Sequence, residues 1–296
     1  MNVNNKKKYI ISRIAACSVI AAAVLFIFIS PRYYGDQLDN DEYKSWLGHE
    51  VEPYSGIISI WHIAGIKPFS GSLGALLYDE AKSYSKQFNN VYFDIKTYSG
   101  DEAAEQLKRG YYPDIVSFPK GYFSTDDLIS ICRTEDELHL KGAVQNECYA
   151  LPYCASGYLL VFTAERAEDD INDLIGSSGS MAEFRSGKAA SCITDIRGSG
   201  DLYRAQINGK CPYFEAQPLP ESRFDAQFIG IHKTVDERKM SYITGFIERL
   251  IENEAQRRIA DIGLIPVLQS VEAEYEQTWL FELRNMFSIS KIENCF

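Results

Sequence analysis

The sequence predicts an α/β protein with a parallel β-sheet, set behind an N-terminal transmembrane helix. Two observations carry that expectation. A basic cluster leads into a long apolar run at the N-terminus, and beyond residue 55 short β-branched segments alternate with segments of helical period. The order strand, helix, strand, helix, strand implies right-handed crossovers between parallel neighbours.

Lys6, Lys7 and Lys8 precede an apolar run from Ile14 to Ile29 that is broken only by Cys17 and Ser18. Extended back to Tyr9, the segment reaches the ~20 residues that a bilayer crossing needs, where a signal-peptide core takes only ~7–15. The run ends Phe26-Ile27-Phe28-Ile29-Ser30-Pro31, with no small-x-small cleavage site. Residues 1–31 are therefore expected to form an uncleaved signal anchor. Its lysines stay cytoplasmic and the rest of the chain is extracytoplasmic, with Arg13 snorkelling to the headgroups. Lipidation at Cys17 competes with this reading, because Ile14-Ala15-Ala16-Cys17 matches the end of a bacterial lipobox. Most of the apolar core follows Cys17 instead of preceding it, which favours the anchor. Residues 32–55, polar and acidic with Gly35 and Pro53, are expected to be a linker, and 56–296 the folded domain.

The chain carries a net charge of −11 although its N-terminus is basic, so the exported part repels a phosphate backbone and nucleic acid is not an expected partner. Six cysteines follow the anchor: Cys132, Cys148, Cys154, Cys192, Cys211 and Cys295. An even count in an exported domain permits disulfides, with Cys132–Cys148 and Cys192–Cys211 the sequence-near pairs. Buried thiols in an organism living without oxygen fit equally well. Cys-x-x-Cys is absent, so no zinc or redox motif is indicated, and neither metal nor cofactor is expected. Gly-x-Ser-x-Gly and His-Glu-x-x-His are also absent. Ala189 follows Gly187-Lys188 where a phosphate loop needs Ser or Thr. The pairs Asp126-Asp127 and Asp169-Asp170 are sequence neighbours, which point apart on any regular element. No enzymatic activity is expected.

Within the domain, GIISIWHIA (Gly56–Ala64) reads as a buried parallel strand bounded by glycine. After a loop at 67–72, Leu73, Leu76, Leu77, Ala81, Tyr84 and Phe88 mark one face of a helix. Val91, Phe93, Ile95 and Thr97 alternate with polar residues as in a strand. Ser99 and Glu102 form a capping box for a helix that Gly110 stops, and DIVSF (Asp114–Phe118) is the third strand. Tyr149–Phe162 is two apolar stretches joined by Ala-Ser-Gly. A short helix is expected near Met181–Phe184 and a strand at Gln227–Ile231. Thr234 with Glu237 and Asn253 with Gln256 read as caps of two further helices, the second ending at Gly263.

GIISIWH (56–62), SGDEAAEQL (99–107), PDIVSF (113–118), YALPYCASGYLLVF (149–162), FRSGKAAS (184–191), FIGIHKT (228–234) and EAQRRIADIGLIPV (254–267) occur in this order. Together they resemble the family-1 extracellular solute-binding proteins, which include maltose- and oligosaccharide-binding proteins. The resemblance implies a two-lobed type II periplasmic-binding-protein fold. Lobe 1 would span about 56–152 plus 227–268, and lobe 2 about 153–226, with 269–296 a candidate addition. It implies a small solute, with a saccharide as candidate, bound between the lobes and delivered to ABC permease subunits. Trp61, His62, Ser117, Phe118, Tyr153 and Ser156 would then face the cleft. Trp61 and Tyr153 would stack on a sugar ring, and Ser117, Ser156 and Arg197 would hydrogen-bond to it. Only about two dozen residues separate the crossing strands from FRSGKAAS, so lobe 2 is expected to be abridged. A scaffold that senses or binds a partner without transport is the alternative function.

Overall fold

The computed structural model describes residues 54–131, 149–219, 224–268, 270–271, 275 and 277–287. The expected anchor, nearly all of the linker, and Cys132, Cys148 and Cys295 lie outside the described residues. Among the described residues no helix is long and apolar enough to cross a membrane.

The first half follows the expected alternation: β1 (Gly56–Ile63), α1 (Leu73–Ser85), β2 (Val91–Tyr98), α2 (Gly100–Lys108) and β3 (Ile115–Pro119). The short β4 (Leu128–Ile129) follows, then β5 (Ala150–Ser156). The chain next builds β6 (Tyr158–Thr163), α3 (Ile171–Gly176), α4 (Met181–Arg185), β7 (Ser191–Asp195), α5 (Ile196–Ile207) and β8 (Phe214–Pro218). It returns through β9 (Asp225–His232), α6 (Met240–Leu250), α7 (Asn253–Asp261), β10 (Ile265–Pro266) and α8 (Thr278–Met286).

The helix starts have local causes. In α2 the backbone N–H of Glu102 donates to Ser99 Oγ at 3.3 Å while Ser99 N–H donates to Glu102 Oε2 at 2.8 Å. Ser180 and Glu183 repeat this box at α4. Two expected caps are corrected. Thr234 Oγ1 bonds to His232 Nδ1 at 2.9 Å, and Asp236 caps the one-turn helix before α6 instead. Gln256 turns into the core, so Glu252 is the residue preceding α7. Thr234 is held by a ring two residues back, and Gln256 is drawn away by its tertiary partner Tyr153.

The strands form two sheets. The larger runs β10-β5-β9-β3-β1-β2, with β4 also paired to β9, and the smaller runs β7-β6-β8. β2, β1 and β3 are parallel as expected, but β3–β9, β9–β5 and β5–β10 are antiparallel. The wholly parallel sheet is thus corrected to a mixed one. β9 follows β8 of the smaller sheet, and among the described residues no helix lies between them to fix its direction. One face of the larger sheet packs Ile58, Ile60, Ile115 and Ile231 against α1, α6 and α7, and the other gathers Ile63, Val116, Phe118 and Phe228 near Ala103 of α2. A further core joins Leu159, Val161, Phe184, Leu202 and Phe214 to Trp279, Leu280 and Leu283 of α8.

One buried charge ties three helices together. Glu80 of α1 is fully buried, and Arg249 of α6 donates to its Oε2 at 2.9 Å while Arg258 of α7 reaches Oε1. Gly157 is the single residue between β5 and β6. A β-carbon there would lie 3.0 Å from Leu283 of α8 and 3.1 Å from Phe224, so a side chain at this crossing would push those neighbours back by a few tenths of an ångström.

Candidate functional site: the crevice between the two sheets

In open α/β sheets, ligands gather beyond the carboxyl ends of strands. Here β1 and β3 end at His62–Ile63 and Ser117–Pro119, and β7 ends at Asp195, where α5 begins. The β5–Gly157–β6 crossing brings the sheets together at that end. Ser156 pairs with Asp225 in one sheet, and Tyr158 pairs with Asp195 in the other.

A polar cluster sits at this junction. Tyr158, 37 % exposed, donates its hydroxyl to Asp225 Oδ2 at 3.1 Å. The Asp225 charge, then burial, raises the Tyr158 pKa, with Asp195 adding a smaller push. Asp195 accepts the Gly198 N–H at 2.7 Å and so caps α5. A part-exposed tyrosine ring beside two carboxylates offers a flat apolar face together with strong acceptors. That combination suits a polyhydroxylated molecule.

A buried hydrogen-bond network occupies the neighbouring strands, with Gln227 two residues from Asp225 on β9. Ser117 Oγ is 3.0 Å from His62 Nδ1 and 2.8 Å from the Tyr153 hydroxyl, and Gln227 Nε2 donates to it at 3.1 Å. Gln227 Nε2 also donates to the Ile63 carbonyl at 2.8 Å, and its Oε1 accepts the Gly65 N–H at 3.3 Å. One proton arrangement satisfies all three contacts at Ser117: Tyr153 and Gln227 donate to it, and Ser117 donates to Nδ1 of a neutral His62. Burial supports it, holding His62 down to about 4 and pushing the Tyr153 pKa well above its ordinary value. All four side chains are almost completely enclosed, so the network stiffens the ends of β1, β3, β5 and β9.

Of the seven expected site residues, the structure brings His62, Ser117 and Tyr153 together in this network. Tyr153 is wholly enclosed and presents no face for stacking. Trp61 is also buried, packed edge-on against Tyr98 at 5.0 Å between ring centroids. Phe118 belongs to the core, 5.1 Å from Phe123 and 6.2 Å from Phe228. Ser156 is buried at the crossing. Arg197 lies in the first turn of α5, its Nε 3.5 Å from Asp201 Oδ1. The strand ends were located correctly, but large aromatic residues there pack inward because both faces of the sheet are covered. Gln227, Tyr158 and Asp225, which the structure places at this junction, are not among the residues expected from the sequence. A lone amide inside the apolar AQFIGIH segment was the available signal for Gln227. Tyr158 and Asp225 meet only through the crossing, 67 residues apart in sequence.

No family model matches the chain, and no curated protein matches it in sequence. Solved structures do match in fold. The GacH receptor of Streptomyces glaucescens, determined unliganded and with acarbose, superposes with a TM-score of 0.56 at 14% identity, over 81% of this chain and 88% of that one. A chitin oligosaccharide binding protein gives 0.59 at 11% identity, over 78% and 87%. The maltose-maltodextrin binding protein of Alicyclobacillus acidocaldarius gives 0.54 at 13%, over 78% and 87%. The chain therefore has the mixed α/β fold of the periplasmic-type solute-binding proteins.

Proposed function

We propose that this fold serves here as an extracytoplasmic receptor, tethered by residues 1–31, that captures a small solute between its two sheets and hands it to an ABC-type permease. A carbohydrate is the preferred ligand class. The observation that carries this reading is the junction of Tyr158, Asp195 and Asp225. It combines an aromatic face with carboxylate acceptors at the carboxyl ends of strands. The matched proteins that bind acarbose, chitin oligosaccharide and maltodextrin support the choice of saccharide. Binding of this kind needs no covalent chemistry.

A ligand screen tests the proposal. Full-length protein in detergent is heated with maltooligosaccharides, chitooligosaccharides, short peptides and inorganic anions. A ligand at a hundred times its Kd stabilises by about 2.7 kcal/mol, which raises Tm by several degrees. A rise confined to one saccharide class is the expected result. A flat response across the whole panel contradicts it.

A second reading keeps the scaffold but not the transport, making the protein a sensor or a docking module. What favours it is direct contact between α5 and the loop after β1: Arg204 of α5 donates to the Phe69 carbonyl at 3.0 Å. Permease genes beside this one would favour transport, and a sensor kinase gene would favour the second reading.

A further inference from the structure

The loop from β1 to α1 leaves the carboxyl end of β1 and reaches α5. Phe69 of this loop is half-buried against the core beside the smaller sheet, its ring 6.0 Å from Tyr203. The seat is made by two glycines. A β-carbon on Gly200 of α5 would fall 2.6 Å from the Phe69 carbonyl oxygen and 3.1 Å from its ring. A β-carbon on Gly263, after α7, would fall 2.4 Å from Phe69 Cβ. Two hydrogen bonds hold the loop down: Ser70 N–H to the Ile262 carbonyl at 3.1 Å, and Arg204 Nη1 to the Phe69 carbonyl at 3.0 Å. Asp201 orients that guanidinium through Arg204 Nη2 at 2.6 Å.

The seat explains an otherwise unfavourable helix. α5 carries Gly198, Ser199 and Gly200 in its first half, and a mid-helix glycine costs about 1 kcal/mol relative to alanine. Gly198 has its own reason, since a β-carbon there would lie 1.8 Å from Thr194 Oγ1. Gly200 faces Phe69. Phe69 thus bridges the loop at the end of β1 and the helix that begins at the end of β7.

We propose that Phe69 is a built-in plug of the crevice. It is seated between Gly200 and Gly263 and latched by Arg204, and it must withdraw before a solute reaches the ends of β1 and β7. This rests on the crevice being the binding site. The plug competes with the solute, so apparent affinity is the intrinsic affinity reduced by the fraction of unplugged molecules. Nothing in it needs a second protein or a covalent step.

Two substitutions remove the plug from opposite sides. Gly200→Ala blocks the seat while favouring the helix, so misfolding is not its expected effect. Phe69→Ala removes the ring and leaves α5 untouched. Full-length protein in detergent is compared by hydrogen exchange and mass spectrometry without added solute. The expected result is at least tenfold faster exchange at residues 67–71 in both variants, with β1 and β6 unchanged. Exchange at wild-type rates in both variants overturns the plug, whatever the protein binds. Maltotriose and chitotriose titrations then ask for the functional consequence. Tighter binding in both variants, by tenfold or more, supports competition. Weaker binding in Phe69→Ala makes Phe69 a ligand contact and overturns the plug. If neither sugar binds any of the three proteins, the solute assignment fails, while the exchange result still decides the plug.

Discussion

Single side chains set the pH behaviour of the buried network. Burial holds His62 at about 4 in the folded protein, against 6.5 in the unfolded chain. Between those values the unfolded chain binds a proton that the folded chain refuses. The His62 contribution is therefore fully present above about pH 6.5 and is lost as pH falls toward 4. It amounts to on the order of 3 kcal/mol. His232 is also lowered by burial and adds to the same slope, so the test is a difference between proteins. Urea unfolding at pH 7 and pH 4.5 should show a smaller loss of stability in His62→Gln than in the wild type. Equal losses would remove His62 from the account. Gln256 makes a second prediction. Its amide pairs with the carbonyls of Tyr153 and Leu250 at 2.9 and 2.8 Å and with the Val267 N–H at 2.8 Å, all buried. Gln256→Leu strands these groups and should cost about 2–3 kcal/mol in the same unfolding experiment.

Between elements, Glu80 is the most exacting contact. Removing its carboxylate leaves Arg249 and Arg258 facing a vacated site between α1, α6 and α7. Glu80→Ala should lose about 3 kcal/mol in urea, with the m-value unchanged because the unfolded surface is the same. A loss below 1 kcal/mol would mean that the two arginines, both partly exposed, find water equally good. The elements also show what was legible in the sequence. α2 was readable from the Ser99–Glu102 box and α1 from its apolar period, whereas Ser72 and Ser180, which cap α1 and α4, are recognised only in the structure. α5 was not readable. Gly198-Ser199-Gly200 looks like a loop, and only the close approach of Thr194 and Phe69 explains glycine in a helix. The direction of β9 was equally hidden, because it depends on where the chain re-enters the larger sheet. The site followed the same rule. The strand ends could be located from segment order, but Tyr158 and Asp225 become neighbours only through the crossing.

At the scale of the molecule, two sheets meet through Gly157, the return into β9, and α8 packed beside the crossing. The larger sheet brings the rigid His62–Ser117–Tyr153–Gln227 network, and the smaller brings Asp195 and the start of α5. The fold is that of solute-binding proteins, and the account stands on whether the junction between the sheets holds a solute. Calorimetric titration measures this most directly, using full-length protein and the saccharide that most raises its Tm, with Asp225→Ala as the paired variant. The prediction is one-to-one binding to the wild type, weakened at least tenfold in the variant while its Tm without ligand stays within a few degrees. Absence of binding for every class in the panel, or binding unchanged by Asp225→Ala, would contradict it.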